Sequence, residues 1–173
     1  MIVTEASRQL LEDCGVDSDR LALEWASAAE APRFVELITG YVSKIKEKGP
    51  IGSGKGEVPL EVIERRLAAA VKAAGARKPR TRLGNLAKKL AKDGDYSKEA
   101  ISQGVREKIL PAMRSERIGL EARMILQEEP KDLDTLCKET GASAEELEKI
   151  MAPMVKKGTV SRENDTFSLV SGK

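Results

Sequence analysis

Residues 143–170, SAEELEKIMAPMVKKGTVSRENDTFSLV, carry the pattern of a helix followed by a β-hairpin. Ser143 can accept a hydrogen bond from the amide of Glu146, whose carboxylate can bond back, and this capping box is typical of a helix N-terminus. Gly158 then ends the predicted helix. Short alternating segments at 159–162 and 166–170 flank a polar turn, which favours two paired strands. The apolar side of the helix is formed by Leu147, Ile150, Met151, Met154 and Val155.

Two further helices are predicted before this segment, at about 117–128 and about 133–140. Pro130 closes the first helix, and Gly141 forms the turn after the second. Three helices followed by a two-stranded wing are the element order of a winged helix-turn-helix. The sequence therefore predicts a winged-helix-like module over residues 113–173.

Residues 59–112 are predicted to form a basic helical region. Pro59 suits the first turn of one helix. A break at residues 78–80 precedes a short basic helix, and a further helix begins at Ser97 and is kinked or ended by Pro111. This region is thus expected to be helical throughout, with short breaks.

Residues 49–58 are predicted to be a glycine-rich linker. Within it, GPIGSGKG at 49–56 satisfies the G-x-x-x-x-G-K part of a phosphate-binding loop. However, Gly56 stands where such a loop needs the Ser or Thr that holds magnesium, and the motif follows a helix rather than a strand. Nucleotide binding is therefore not expected here.

Residues 1–48 are predicted to form a short helix at 7–14, a short strand at 21–25 and a second helix. Ser27 and Glu30 form another predicted capping box. Apolar residues follow with a clear helical period. They are Phe34, Leu37, Ile38, Tyr41, Val42 and Ile45. Because a lone strand has no partner to bond, this part is interpreted as the end of an α/β domain. The predicted fold class is therefore mainly α: a short α/β remnant at the N-terminus, then helices and a C-terminal winged helix-turn-helix.

The composition argues against most enzyme classes. The 173 residues include no histidine, which removes the commonest metal ligand and the usual base near neutral pH. Cys14 and Cys137 lie far apart in the sequence and are interpreted as free structural thiols. We predict no catalytic, cofactor-binding or metal-binding residue, and no membrane span. A minor alternative is a catalytic site formed by Glu24 and Glu30 beside Trp25.

The charge is distributed unevenly along the chain. The net charge is only +2, yet ten basic and no acidic residues lie between Arg65 and Lys92. Such a segment indicates an anionic partner or a solvated helix face. A nucleic-acid-binding protein that uses segment 65–92 is therefore the alternative hypothesis, although the predicted recognition helix begins with acidic residues and the basic segment contains no aromatic residue for stacking.

Residues 15–49 combine a turn, an aromatic motif and a basic stretch before a Gly-Pro pair. The motifs are Gly15-Val16-Asp17, Arg20-Leu21, Leu23-Glu24-Trp25, Ser27-Ala28, Glu30, Phe34-Val35-Glu36 and Gly49-Pro50. This segment resembles the C-terminal part of the methyl-viologen-reducing hydrogenase delta subunit family, the iron–sulfur subunits that accompany heterodisulfide reductases. The remaining chain is similar in element order to C-terminal extensions found on some members.

The resemblance implies an electron-transfer assembly. Members of the family carry a [2Fe–2S] cluster on cysteines upstream of the matching segment and pass electrons between a hydrogenase or other donor and a flavin-containing reductase. Four thiolate ligands cannot come from the two cysteines of this chain, so no cofactor is expected on it. The resemblance thus implies a part of the assembly that binds no cluster itself.

We therefore predict a non-catalytic docking or accessory part of an iron–sulfur electron-transfer complex in the cytoplasm. Whether the chain is an enzyme by itself is left open. The expected partners are hydrogenase or heterodisulfide-reductase-like subunits, with nucleic acid disfavoured. Trp25 is interpreted either as strand-end packing or as an interface anchor. Because the predicted strand would leave apolar surface and an unpaired edge exposed, self-association through residues 1–48 is a further expectation.

Overall fold

The computed structural model describes residues 1–53 and 58–170, which form eight α-helices, one 3₁₀ turn and three short strands. The helices and strands lie at the following positions. They are α1 Ile2–Asp13, α2 Ala31–Lys48, α3 Leu60–Gly75, α4 Arg77–Asp93, α5 Lys98–Lys108, α6 Leu110–Glu128, β1 Lys131–Asp132, α7 Leu133–Thr140, α8 Ala144–Lys156, β2 Val160–Glu163 and β3 Thr166–Leu169. The 3₁₀ turn spans Ser18–Arg20. The expectation of a mainly helical protein is confirmed.

The three strands form one small antiparallel sheet in the order β1–β3–β2. The predicted hairpin is confirmed, with Val160 opposite Leu169 and Glu163 opposite Thr166. Asn164 takes the left-handed conformation (φ 55°) that the tight turn requires. Strand β1 was not predicted, because it is only two polar residues long, and it pairs with the start of β3.

The described residues enclose two apolar cores. The first lies among α1, α3, α4, α5 and α6, where aliphatic side chains from all five helices are buried together. The second lies among α6, α7, α8 and the sheet, and centres on Leu136, Leu147 and Phe167. Helix α6 contributes to both, since Met113 is buried in the first and Ile118 in the second.

The predicted cap at the start of α8 is confirmed, and α7 has a cap that was not predicted. The hydroxyl of Ser143 accepts the amide hydrogen of Glu146 at 3.2 Å at the start of α8. Asp132 caps α7 in the same way, accepting from the amide of Thr135. The Glu146 carboxylate, however, pairs with Arg114 rather than closing the capping box.

The predicted strand at 21–25 is wrong, because residues 1–53 contain no strand. Asp17 instead accepts the amide hydrogen of Asp19 and begins the 3₁₀ turn, after which the chain continues without regular structure to α2. The predicted α/β remnant is therefore not seen. At the second predicted capping box the Glu30 carboxylate does accept from the amide of Ser27, whereas the Ser27 hydroxyl accepts from Ala29.

Three helix boundaries also differ from the prediction. The first helix extends over Ile2–Asp13 rather than beginning near residue 7. Pro79 lies in the first turn of α4, where its missing N–H is tolerated. The break between α3 and α4 therefore lies about one turn earlier than predicted, at the extended Ala76. Pro111 likewise lies in the first turn of α6, which therefore begins at Leu110 and not near residue 117.

The predicted linker is only partly described. Its residues 49–53 follow α2, with Gly49 in a positive-φ conformation, and residues 54–57 lie outside the described ranges. The end of the predicted module, residues 171–173, also lies outside them. The division between regions 59–112 and 113–173 stays a prediction.

Candidate docking site

Helix α2 is amphipathic, yet none of its residues is buried. Phe34, Val35, Ile38 and Val42 lie on one side of the helix, because Ile38 is four residues from Phe34 and from Val42 and three residues from Val35. All four are exposed, from 42% for Val42 to 61% for Val35. We call these four side chains the apolar row. An exposed apolar row of this kind marks a surface for interaction with another molecule.

The C-terminal half of α2 is held to the preceding turn by polar contacts. The Arg20 guanidinium donates to the carbonyl oxygens of Lys48 (3.3 Å) and Gly49 (2.7 Å). The hydroxyl of Tyr41 donates back to the carbonyl oxygen of Arg20. Lys48 also pairs with Asp17. These contacts fix the direction of the helix without covering the apolar row.

Two exposed carboxylates contribute to these contacts. A hydrogen bond from Lys48 lowers the pKa of Asp17, and one from Lys44 lowers the pKa of Asp19. Both carboxylates therefore remain ionised at neutral pH and can pair with the lysines of α2.

The loop before α2 adds further exposed apolar groups. The Trp25 side chain is 71% exposed and that of Leu23 is 42% exposed. Both line an open cleft of about 1330 Å³ between this loop and α2 on one side and helices α1 and α5 on the other. The strand-end packing interpretation of Trp25 is therefore wrong, and its role as an interface anchor stays a prediction.

Helix α1, in contrast, is firmly part of the protein body. Ala6, Leu10 and Cys14 are buried in the first core. Gln9 is also buried and donates to the carbonyl oxygen of Ser102 on α5 at 3.1 Å. The N-terminal part of the chain thus consists of one packed helix and one exposed helix.

A cluster of four arginines and four carboxylates joins the C-terminal end of α1 to the rest of the protein. We call it the charged junction. It consists of Asp13, Arg65, Arg66, Arg114, Arg117, Glu121, Glu139 and Glu146. The four guanidinium groups equal the four carboxylates in number, and the buried side chains are those of Asp13, Arg117 and Glu121. At the exposed edge Lys131 also lies 3.8 Å from Glu139. The junction residues come from α1, α3, α6, α7 and α8, so the junction connects the elements around both cores.

Arg117 and Glu121 lie at the centre of the charged junction and are fully buried. The Arg117 Nε donates to Asp13 at 2.6 Å, and its Nη1 donates to Glu121. Burial raises the pKa of Glu121, and the guanidinium groups of Arg117, Arg66 and Arg65 oppose that shift. Because three guanidinium groups surround it within ion-pair distance, we assign the carboxylate as ionised at neutral pH.

Two arginines of the junction are not fully hydrogen-bonded. The buried Arg65 Nη2 and Arg66 Nε make no hydrogen bond within the described ranges, although carboxylate oxygens lie 3.4 and 3.6 Å away. Ion pairing rather than directed hydrogen bonding therefore stabilises these atoms. Both residues belong to the basic segment 65–92, so part of the positive charge of that segment is paired with carboxylates inside the protein. Most of the basic side chains of α4 are exposed.

The two cysteines do not fit an iron–sulfur cluster. Cys14 is buried in the first core, and burial raises its pKa to about 11. Cys137 packs against the second core, and burial also raises its pKa. Cluster binding needs several thiolates in one place, and both thiols stay protonated at neutral pH. Among the described residues no group of three or more potential ligands for a metal ion occurs.

Glu24 and Glu30, the minor catalytic alternative, have ordinary surface surroundings. Glu30 accepts from the amide of Ser27 and pairs with Arg33, and the hydrogen bond from Ser27 lowers its pKa. A lowered pKa is opposite to what a general acid at neutral pH needs.

No other site residue was predicted from the sequence. The charged junction was missed, since buried arginines have no separate sequence signal.

No helix in the described ranges combines the length and apolar character needed to cross a bilayer.

Comparison with known proteins supports the predicted resemblance over the N-terminal part of the chain. Residues 3–49 match the family model of the methyl-viologen-reducing hydrogenase, delta subunit. The A subunit of the ferredoxin:CoB-CoM heterodisulfide reductase of Methanosarcina mazei is 44% identical over 46 residues, which are 27% of this chain and 6% of that protein. The A subunit of the ferredoxin/F(420)H(2)-dependent CoB-CoM heterodisulfide reductase of Methanosarcina acetivorans is 41% identical over 46 residues, with the same shares.

These matches are partial. The aligned part spans about 6% of the length of the curated relatives. No solved structure matches the chain. The predicted resemblance is nevertheless confirmed: residues 3–49 of this protein are similar to the methyl-viologen-reducing hydrogenase delta subunit.

Proposed function

We propose that this chain is a non-catalytic docking part of an electron-transfer complex of the hydrogenase and heterodisulfide reductase type. Helix α2 binds another component of that complex through the apolar row. The observation that carries the proposal is that α2 lies in the family-matched segment and buries none of its residues.

The apolar row has the chemistry of a protein interface. Phenylalanine and aliphatic side chains at its centre can be removed from water by a partner, and the nearby Trp25 is of the residue type most enriched at binding hot spots. Each side chain is already held on a formed helix, so little backbone order is lost on binding. A preformed, exposed helix face is one of the recurring ways in which proteins recognise each other.

The partner is proposed to be a protein like the A subunit of heterodisulfide reductase. A stretch of 46 residues of this chain is 44% and 41% identical to part of two such subunits, where the similar stretch belongs to the reductase polypeptide itself. A segment that is covalently joined to a reductase in one protein can bind to it as a separate chain in another. The redox groups belong to the partners, because the two thiols of this chain do not fit a cluster. We place the complex in the cytoplasm.

We further infer that residues 113–170 have a winged-helix-like arrangement, with β1 between the first two helices and the hairpin at the end. A role in nucleic-acid binding is not favoured by its charges. Helix α8 begins with Glu145 and Glu146. The wing's Arg162 is paired with Glu148 and Asp165 and lies over the ring of Phe167. We therefore propose that residues 113–170 have a structural role and support the part of the protein that carries α2.

The test is binding of the whole chain to the purified A subunit of heterodisulfide reductase from the same organism, measured by calorimetry at low micromolar concentration. Ile38→Asp places a charge in the centre of the apolar row and is expected to weaken binding about tenfold or more. Ser43→Asp adds the same charge on the opposite, exposed side of α2 and serves as the matched control.

Circular dichroism checks that both variants keep the helical content of the original protein. Equal affinities of the two variants, or no binding by the unmodified chain, would show that the row is not the docking surface.

A further inference from the structure

We propose that, in the absence of its partner, the apolar row binds a second copy of this chain. The two α2 helices pack antiparallel around a twofold axis that passes beside Ile38. The self-association goes beyond the proposed function and does not depend on it, since a helix that binds a reductase need not bind itself; only the competition between the two interactions rests on the proposed function.

The apolar row is self-complementary about its centre. In an antiparallel pair centred on Ile38, a residue of one copy faces the residue of the other copy for which the two residue numbers sum to 76. Phe34 of one copy then lies opposite Val42 of the other, and the two Ile38 side chains meet at the axis. A twofold interface must be self-complementary in this way. Phe34, Ile38 and Val42 therefore meet large apolar residues of the other copy, whereas Val35 lies opposite the half-buried Tyr41.

The charges at the ends of the row favour the same arrangement. The same register places Glu30 at the N-terminal end of one α2 opposite Lys46 near the C-terminal end of the other. Glu30 already pairs with Arg33 of its own chain, so its carboxylate would be shared between Arg33 and Lys46 of the other copy. The two helix dipoles run in opposite directions. A parallel pair would instead place Lys44, Lys46 and Lys48 of both copies together. Charge complementarity therefore favours the antiparallel arrangement.

The row is also accessible for such a contact. Tyr41 and Lys48, which hold α2 to the preceding turn, are half-buried and lie to one side of it. Packing at the row therefore leaves these contacts intact. The interface has only four apolar side chains from each copy, which is the size of a transient contact. We expect a dissociation constant of about 100 μM.

Because the second copy and the reductase cover the same row, the two interactions exclude each other. Self-association would keep the apolar side chains out of water until the partner replaces the second copy. Replacement of the second copy by the reductase requires only that the interface with the reductase be larger, and its affinity higher, than those of the pair of α2 helices.

Sedimentation velocity of the whole chain from about 5 to 500 μM tests the proposal. The unmodified protein is expected to shift from monomer to dimer over this range. Ile38→Asp should remain monomeric throughout, whereas Ser43→Asp should dimerise as the unmodified protein does. A monomer at every concentration overturns the self-association but not the docking function. A dimer that Ile38→Asp leaves unchanged shows that another surface is used, and also overturns it.

A cysteine substitution tests the register. Facing helices lie about 8–10 Å apart, and their Cα atoms lie about 2.3 Å from each axis, so residues at the twofold axis are within disulfide reach. In a Cys137→Ser background, Ile38→Cys is expected to form an intermolecular disulfide with oxidised glutathione, and Ser43→Cys is not. Cross-linking of both variants to the same extent would refute the antiparallel register.

Discussion

The replacement of Arg117 by Met tests the role of the charged junction in stability. Arg117 is fully buried and bonds to two carboxylates, those of Asp13 and Glu121. Met keeps much of the side-chain volume, so the change removes the charge without leaving a large cavity. It leaves the junction with three arginines and four carboxylates. Breaking a buried ion pair from one side costs about 3–5 kcal/mol, because the remaining charge is uncompensated.

The expected loss can be measured by urea denaturation followed by circular dichroism at 222 nm. A destabilisation of about 3–5 kcal/mol also corresponds to a lower melting temperature, by about 6–20 °C for a chain of this size. The slope of the urea transition should not change, since the same surface is exposed on unfolding. Lys149→Met, which breaks an exposed ion pair with Glu145, is the control and should leave the midpoint unchanged.

The double variant Arg117→Met/Glu121→Leu separates ionic pairing from packing. It removes one positive and one negative charge, so the remaining charges of the junction are again equal in number, but Arg66 loses the carboxylate with which it pairs. We expect the double variant to recover part of the stability lost in Arg117→Met, as replacement of buried pairs by apolar groups often does. If Arg117→Met lost less than about 1 kcal/mol, or if the effects of the two substitutions simply added, the assignment of the junction as a coupled ionic cluster would be refuted.

Four further outcomes are expected. Hydrogen exchange should show strong protection of amides in α1 and weak protection in α2, because only α1 is packed in the core; equal protection would contradict this description. A thiol reagent should modify Cys137 in the native protein, and Cys14 only after unfolding; early labelling of Cys14 would contradict its burial. Ser143→Ala should destabilise the protein by about 1 kcal/mol in urea, with Ser161→Ala as a control that caps no helix. At Glu5 burial raises the pKa, but hydrogen bonds from Gln9 and Ser102 outweigh burial, so the pKa is lowered. The stability that the ionised Glu5 provides above pH 4.5 is therefore lost on acidification. Glu5→Gln should lose less stability than the unmodified protein between about pH 5 and pH 3, and parallel curves of stability against pH would contradict this.

The helices could be predicted from the sequence because their signals are local. The capping serine at 143, the glycine after α7 and the apolar period of α2 each act within a few residues of the place where they occur. The hairpin was predictable for the same reason. Pro79 and Pro111 were misjudged because a proline is compatible both with the end of one helix and with the first turn of the next.

The features that depend on distant contacts were not predictable. The alternation at 21–25 resembles a strand, but a strand needs a neighbour to bond, and the described residues offer none near it. Strand β1 forms only because β3 lies beside it. Arg117 and Glu121, four residues apart on a helix, have the spacing of an ordinary surface ion pair. Their burial follows from the packing of α1 and α3 on α6, which a single sequence does not reveal.

Helix α1 ends in a carboxylate whose two arginine partners both lie on α6. Transplanting the delta-subunit-like segment into an unrelated host would therefore fail unless the recipient offered an equivalent pair of guanidinium groups. Helix α2 would need only the turn before it, which supplies its Arg20 and Asp17 contacts, whereas α1 would bring an acidic group with no partner into the new host.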